Sequence, residues 1–442
     1  MEDYRLVADA VAADIAAGRL RPGERLATQR AFARERGIAG STAGRVYKEL
    51  ARRGLVVGEV GRGTFVRAAG IRDEPALAEP AGARVDLELN YPVVPGQSAL
   101  LTRSLERLAG PGALDAALRP VGVTGTPAAR EATAALLARP GWSPDPSGLL
   151  FAGNGRQAIA AAMSALVPAG ERLGVEALTY PVVKGLANRL GITLVPLATD
   201  EHGLRPDALA RAGVRAVYLQ PTLQNPFSTT MPEERRAELA KVLRRADVHA
   251  IEDAIWAFLL DDGPAPLAAF APERTILVDS LSKRLAPGLT LGFAVTPPAL
   301  AAPMTAALRS GAWMPTGYAM EAATGWMTGG TVATITGAKR ADVVARQRIL
   351  RDRLDGFRLR TAPRSYFCWW DLPPRWRAET FVAAAARRGI AVTPAAAFVV
   401  GNAGAPSAVR FGLASPPPDV LDQALGTLAQ IAKGTPDDTP ID

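Results

Sequence analysis

The sequence predicts a small α+β unit joined to a larger α/β domain that ends in a second, smaller α+β lobe. Three observations carry this. Within the first 67 residues, three helical patterns precede two short β-type runs around a glycine-rich tip. From residue 149 to about 278, strand-like apolar runs alternate with helical ones, as in a sheet covered by helices. After about Ala338 the order becomes a long helix, a strand, a helix, a strand and a terminal helix.

The first helix is expected from Tyr4 to about Ala17, because Val7, Val11 and Ile15 recur at i, i+4 and i+8 and Gly18 suits the position after its end. Arg21-Pro22-Gly23 reads as a turn. Thr28 can cap a second helix that closes at Gly37, and the Ser41 hydroxyl can cap a third running to Arg53, with Gly54 behind it. Leu55–Val57 and Thr64–Val66 then flank the tip 58–63, which carries Arg62. From Ala68 the chain is rich in Ala, Pro, Gly and charge without periodicity, as in a linker. The expected division is 1–67, a linker 68–84, and a domain 85–442 whose small lobe covers roughly 338–442. In the larger domain the strands are expected at 149–151, 173–175, 193–195, 216–219, 250–251 and 275–278, and in the lobe at 366–370 and 409–413.

Composition removes several function classes. The single cysteine, Cys368, cannot close an intramolecular disulfide, and His202 and His249 have no further ligands at zinc spacing, so no metal site is expected. The start, Met1-Glu2-Asp3-Tyr4-Arg5, lacks an apolar signal region, and no run reaches the roughly 20 apolar residues that a bilayer requires; a cytoplasmic protein without membrane contact is expected. The formal charge is +8, and +5 of it falls within residues 1–67. Basic charge gathered at one end suits an anionic partner.

A helix that enters a DNA major groove presents short polar and basic side chains, with phosphate contacts beside it. Ser41, Thr42, Arg45 and Lys48 lie at such positions, Arg30 can hold a phosphate, and Arg62 at the tip can enter a minor groove. A solvated helical hairpin fits the spacing alone. The full order, with GRLRPGERLATQR before the turn and GLVVGEVGRGTFV after it, resembles the winged helix-turn-helix of GntR-type bacterial regulators over residues 3–67. That resemblance implies binding to double-stranded DNA.

Lysine is scarce in the rest of the chain, where arginine is the habitual cation. Lys283, in the stretch Ser280-Leu281-Ser282-Lys283-Arg284 after a strand, therefore stands out, since an amine can form a Schiff base and a guanidinium cannot. An ordinary surface lysine is the alternative for this segment by itself. Asp253 follows the strand 250–251, where a carboxylate can pair with a protonated pyridine nitrogen. Asn225 lies beyond the strand 216–219, and all three positions are at strand ends where open α/β sheets bind ligands. Gly155 and Arg156 open a helix whose free N–H groups can take a phosphate, or simply form a tight turn. Tyr180 can stack on a planar ring or be a half-buried tyrosine, and Arg410 can grip a carboxylate or serve a structural ion pair.

In chain order, SLSKRLAPGLTLGF, QNPF, IEDAIW and VRFGLA resemble the cofactor-lysine, asparagine, aspartate and carboxylate-arginine stretches of the fold-type I aminotransferases, over roughly residues 85–435. A GntR-like segment joined to such a domain is the layout of the MocR-type regulators. The resemblance implies a fold-type I domain with pyridoxal 5′-phosphate (PLP) on Lys283 as an internal aldimine, Asp253 at the pyridinium, Asn225 at the phenolic oxygen and Tyr180 on the ring. It places Ser280, Gly155 and Arg156 at the phosphate, and Arg410 at the carboxylate of an amino-compound effector. It also implies a homodimer. The sequence departs from that pattern at Thr290 and Val121, where the family has a phosphate-binding arginine and tyrosine, and at Trp256 or Ile255, where it has a tyrosine; Arg284 or Arg156 then supplies the phosphate's cation. Three functions follow: a DNA-binding regulator that senses PLP and an effector, a working aminotransferase with an appended DNA-binding unit, or a regulator whose pocket has lost PLP.

Overall fold

The computed structural model describes residues 4–17, 19–21, 23–52, 55–59, 63–66, 83–108, 110, 112, 115, 120–311, 313–401 and 404–435. Arg62, the C-cap glycines expected at 18 and 54, and residues 68–82 of the expected linker lie outside them. The chain divides into two compact units: Met1–Leu89 with Arg348–Arg360 and Phe367–Asp442, and Asn90–Gln347 with Thr361–Tyr366. The N-terminal segment and the C-terminal lobe thus share one unit, which also takes the chain up to Leu89, while 338–347 belongs to the other.

In the first unit, helices Tyr4–Ala16, Gln29–Arg36 and Gly40–Arg52 precede the antiparallel strands Val56–Glu59 and Gly63–Val66, in the register Val56↔Val66 to Glu59↔Gly63. Their core gathers Val7, Val11, Phe32, Val46, Leu50, Val56 and Val66, with Phe32 edge-on to Tyr47. Thr28 caps the second helix through its side chain, and Gly37 closes it at φ 64°, a left-handed conformation that glycine adopts without strain. Ser41 is not a cap: the third helix already begins at Gly40, so Ser41 lies in its first turn.

The same unit carries a four-stranded sheet with strands Arg358–Arg360, Phe367–Asp371, Ala408–Gly412 and Thr393–Pro394 in that spatial order, neighbours antiparallel. Helices Ala378–Arg387 and Pro418–Lys433 contribute to its core around Trp370, Phe381, Phe411 and Leu425.

The larger unit is built on a seven-stranded sheet. In spatial order its strands are Leu149–Ala152, Gly292–Val295, Thr275–Ser280, His249–Asp253, Ala216–Leu219, Arg172–Glu176 and Thr193–Leu197. All run parallel except Gly292–Val295, which is antiparallel to both neighbours. The strands Ala216–Leu219 and Thr275–Ser280 are buried throughout, which explains the apolar runs Ala216–Leu219 and Ile276–Val278. The antiparallel strand was not expected from the sequence, and the long helix starts at Thr331, seven residues before its expected start. No helix among the described residues is long and apolar enough to cross a membrane.

Candidate functional site

Three adjacent parallel strands of the larger unit, Ala216–Leu219, His249–Asp253 and Thr275–Ser280, each deliver a candidate group at or beyond their C-terminal ends. The last runs into a four-residue helix, Leu281–Arg284, capped by Ser280, whose Oγ accepts from the Ser282 N–H. This turn presents Lys283. Its Nζ donates to the Asn90 carbonyl at 2.6 Å and sits 4.3 Å from the centre of the Tyr91 ring and 5.3 Å from that of Trp256. Of the two candidates for the tyrosine-like position, Trp256 is therefore the one beside the amine. Ile255 instead donates its backbone N–H to Asp253 Oδ1 at 3.1 Å.

Asp253 is buried, and burial pushes its carboxyl up to about 6 against the pull of its donors. Those donors are Tyr218 Oη at 2.7 Å and Gln220 Nε2 at 2.8 Å, both on Oδ2. Gln220 also accepts the Asn225 backbone N–H on Oε1 at 3.1 Å, so one amide ties Asp253 to Asn225. Beneath this network Glu176, pushed up to about 8 by burial, accepts from Gln224 Nε2 at 3.2 Å. Tyr180 precedes helix Pro181–Leu190, and burial raises its phenol while the neighbouring Arg156 opposes the rise. Tyr91 and Asp253 act electrostatically on the same phenol, so these candidates share one neighbourhood.

A second cluster lies where helix Gly155–Leu166 begins. Asn154 caps it by accepting the Gln157 N–H, and a Cβ added at Gly155 would stand 2.9 Å from Ser280 Oγ. Gly292 is equally constrained, since a Cβ there would overlap the Asn154 carbonyl. Ser280, Ser282 and Thr290 form a row of hydroxyls, 3.0 and 2.8 Å apart between oxygens. Thr290 thus continues a neutral donor set.

Arg284 does not join it. Its guanidinium is buried on Asp279 at 2.8 Å and lies 5.2 Å from the centre of the Phe258 ring, a structural ion pair; Arg156, exposed at the helix start, is instead hydrogen-bonded to the Tyr180 side chain. Arg410 lies in the other unit, on strand Ala408–Gly412, where Nη1 donates to the Glu88 carbonyl at 2.9 Å and the guanidinium faces Phe398. Val121 packs against the apolar core of the larger unit.

The sequence did not single out Asn90, Tyr91, Tyr218 or Gln220. Gln220 directly follows a strand and carried the one available signal; Asn90 and Tyr91 lie far from the other motifs in sequence. In the N-terminal segment Arg30, Ser41, Arg45 and Lys48 are exposed and Thr42 is partly so, with Arg45 stacked 4.1 Å from the centre of the Tyr4 ring. No group of three or more His, Cys, Asp or Glu suited to a metal exists among the described residues.

The larger site is compatible with PLP on the structure's own terms. Among the described residues the buried Asn225 Oδ1 has no hydrogen-bond partner, as a polar atom left for a ligand would. A buried carboxylate, a half-buried amine and a glycine-fronted hydroxyl row match a basic ring nitrogen, an aldehyde and a phosphate.

Comparison with known proteins bears on both parts. Residues 112–428 match the family model for aminotransferase class I and II, and residues 3–66 that for bacterial regulatory proteins of the gntR family. Over 97% of its length the chain is 28% identical to 94% of YdeF of Bacillus subtilis, an HTH-type transcriptional regulator by name. It is 27% identical to TauR of Rhodobacter capsulatus, with 67% of each chain covered. Among solved structures, kynurenine aminotransferase of Pyrococcus horikoshii matches with a TM-score of 0.71 at 23% identity, covering 79% of this chain and 90% of that one, which shows the fold.

Proposed function

Since the chain belongs to the aminotransferase class I and II family and opens with a segment of the gntR regulatory family, we propose that it is a MocR-type, DNA-binding transcriptional regulator that holds PLP on Lys283 and responds to an amino compound. The observation that carries this reading is the Lys283 amine, held between Tyr91 and Trp256 in the unit that also buries Asp253 and, among the described residues, leaves Asn225 Oδ1 unpaired.

PLP, when bound, supplies an aldehyde that links to amines and a ring that withdraws electrons. Asp253 would hold a proton on the ring nitrogen, kept in place by Tyr218 and Gln220. Asn225 would bind the phenolic oxygen and Tyr180 would cover the ring. Gly155, Arg156 and the hydroxyls of Ser280, Ser282 and Thr290 would hold the phosphate. An effector amine would compete with Lys283 for the aldehyde, and its carboxylate is assigned to Arg410 on the family resemblance. Ser41, Thr42, Arg45, Lys48 and Arg30 would contact DNA, and a homodimer would read paired half-sites. Effector binding shifts DNA binding only through different contacts in the two states.

Titration of the purified protein with PLP, followed by visible absorbance and borohydride trapping, tests the reading. A saturable band, absent from Lys283→Ala, is expected. No band at high PLP would overturn PLP sensing, and sustained amino transfer to a keto acid would make the protein an enzyme.

A further inference from the structure

Lys339, on helix Thr331–Arg353, is completely buried, a state that lysine rarely tolerates without a partner. Its Nζ donates to the backbone carbonyls of Lys283 at 3.0 Å and Leu285 at 2.6 Å. Among the described residues no carboxylate lies within ion-pair distance of it; nearby Asp342 is taken by Arg346 and the Tyr366 hydroxyl. Tyr366 Oη also lies 2.7 Å from the Lys339 carbonyl, a contact with the main chain at this residue.

From this geometry we infer that Lys339 is a positioning residue for Lys283, a role that rests on the proposed PLP reading. The four-residue helix Leu281–Arg284 ends at Leu285, which has left helical geometry at φ −111° and ψ −96°. The final carbonyls of a helix have no partner within it and need one from elsewhere. Gln97 Nε2 reaches only the Leu285 carbonyl, at 3.2 Å, and Lys339 reaches that one and the carbonyl of Lys283 itself. The Lys339 amine therefore anchors the main chain from which the Lys283 amine is aimed between Tyr91 and Trp256. A methionine of similar length would fill the same space without the cost of burying an amine, which burial lowers to about 7. It would remove the N–H donors that Lys339 gives to both carbonyls.

The test uses the full-length protein and two ligands. PLP needs the Lys283 amine, whereas pyridoxamine 5′-phosphate offers the same ring and phosphate but cannot link to it. Lys339→Met is expected to weaken PLP binding by about tenfold while leaving pyridoxamine 5′-phosphate within about twofold. Equal losses for both ligands, or none, would overturn the positioning role. In the ligand-free protein, acylation of Lys283 read by mass spectrometry should be faster in Lys339→Met, with exposed Lys241 unchanged. If the wild type binds neither ligand, the PLP reading fails, and this labelling decides the anchoring by itself: unchanged labelling overturns it. Should Lys339→Met not fold, Lys339→Gln, which keeps an N–H donor at shorter reach, is expected to show smaller shifts in the same directions, and no shift overturns the role.

Discussion

Asp253 shows what a buried carboxylate costs a protein before any ligand arrives. Its folded value of about 6 lies above the usual carboxylate range because burial penalises the charge. Between roughly pH 4 and 6 the folded state then holds more proton on this group than the unfolded chain does, so stability falls as pH rises through that window. Relative to wild type, Asp253→Asn is expected to gain about 2–3 kcal/mol between pH 4 and pH 7 in urea denaturation of the ligand-free protein, while losing PLP affinity. A pH-independent difference between the two proteins would refute this. The places of Asp253, Asn225 and Lys283 were legible in the sequence because each lies at or beyond the C-terminal end of an apolar strand. Arg284 misled because its charge alone does not say that it turns inward onto Asp279. Asn90 and Lys339 were illegible for another reason: a backbone carbonyl carries no sequence signal, and a lysine on a long helix reads as surface until the fold buries it.

Elements were legible where local chemistry and burial agree. The helix Gln29–Arg36 was bounded at both ends by Thr28 and Gly37, and both act as expected. Thr28 Oγ1 accepts the Ala31 N–H at 3.2 Å, so Thr28→Ala is expected to cost about 1 kcal/mol, read as a lower denaturation midpoint of the N-terminal segment within the intact protein. Thr28→Ser should restore most of it. Central parallel strands such as Ala216–Leu219 were found because burial on both faces leaves a continuous apolar run. Gly292–Val295 was missed because it opens with a glycine needed for close approach to Asn154, and glycine reads as a break. The helix Thr331–Arg353 was entered late because its first turns, TVATITG, carry β-branched residues and glycine, which are poor helix formers. Tertiary packing of Val332 and Ile335 overrides that preference.

For the whole molecule, charge separates the two proposed tasks. The first 67 residues hold most of the net positive charge, and the helix Gly40–Arg52 displays Ser41, Arg45 and Lys48 to solvent. A cation on a phosphate adds affinity regardless of sequence and releases about one counterion, whereas a groove-facing hydroxyl adds discrimination. Lys48→Ala is therefore expected to weaken binding to specific and random duplexes alike and to lower the salt-dependence slope by about one, in titrations over a range of salt concentrations. Ser41→Ala should instead narrow the gap between the two duplexes with little change in slope. Lys283→Ala should leave both slope and gap intact while abolishing any response to an amino-compound effector, because its amine belongs to the proposed PLP site, in the larger unit. If Lys283→Ala weakened DNA binding as strongly as Lys48→Ala, sensing and reading would not be separable functions of this chain, and the proposed division of labour would fail.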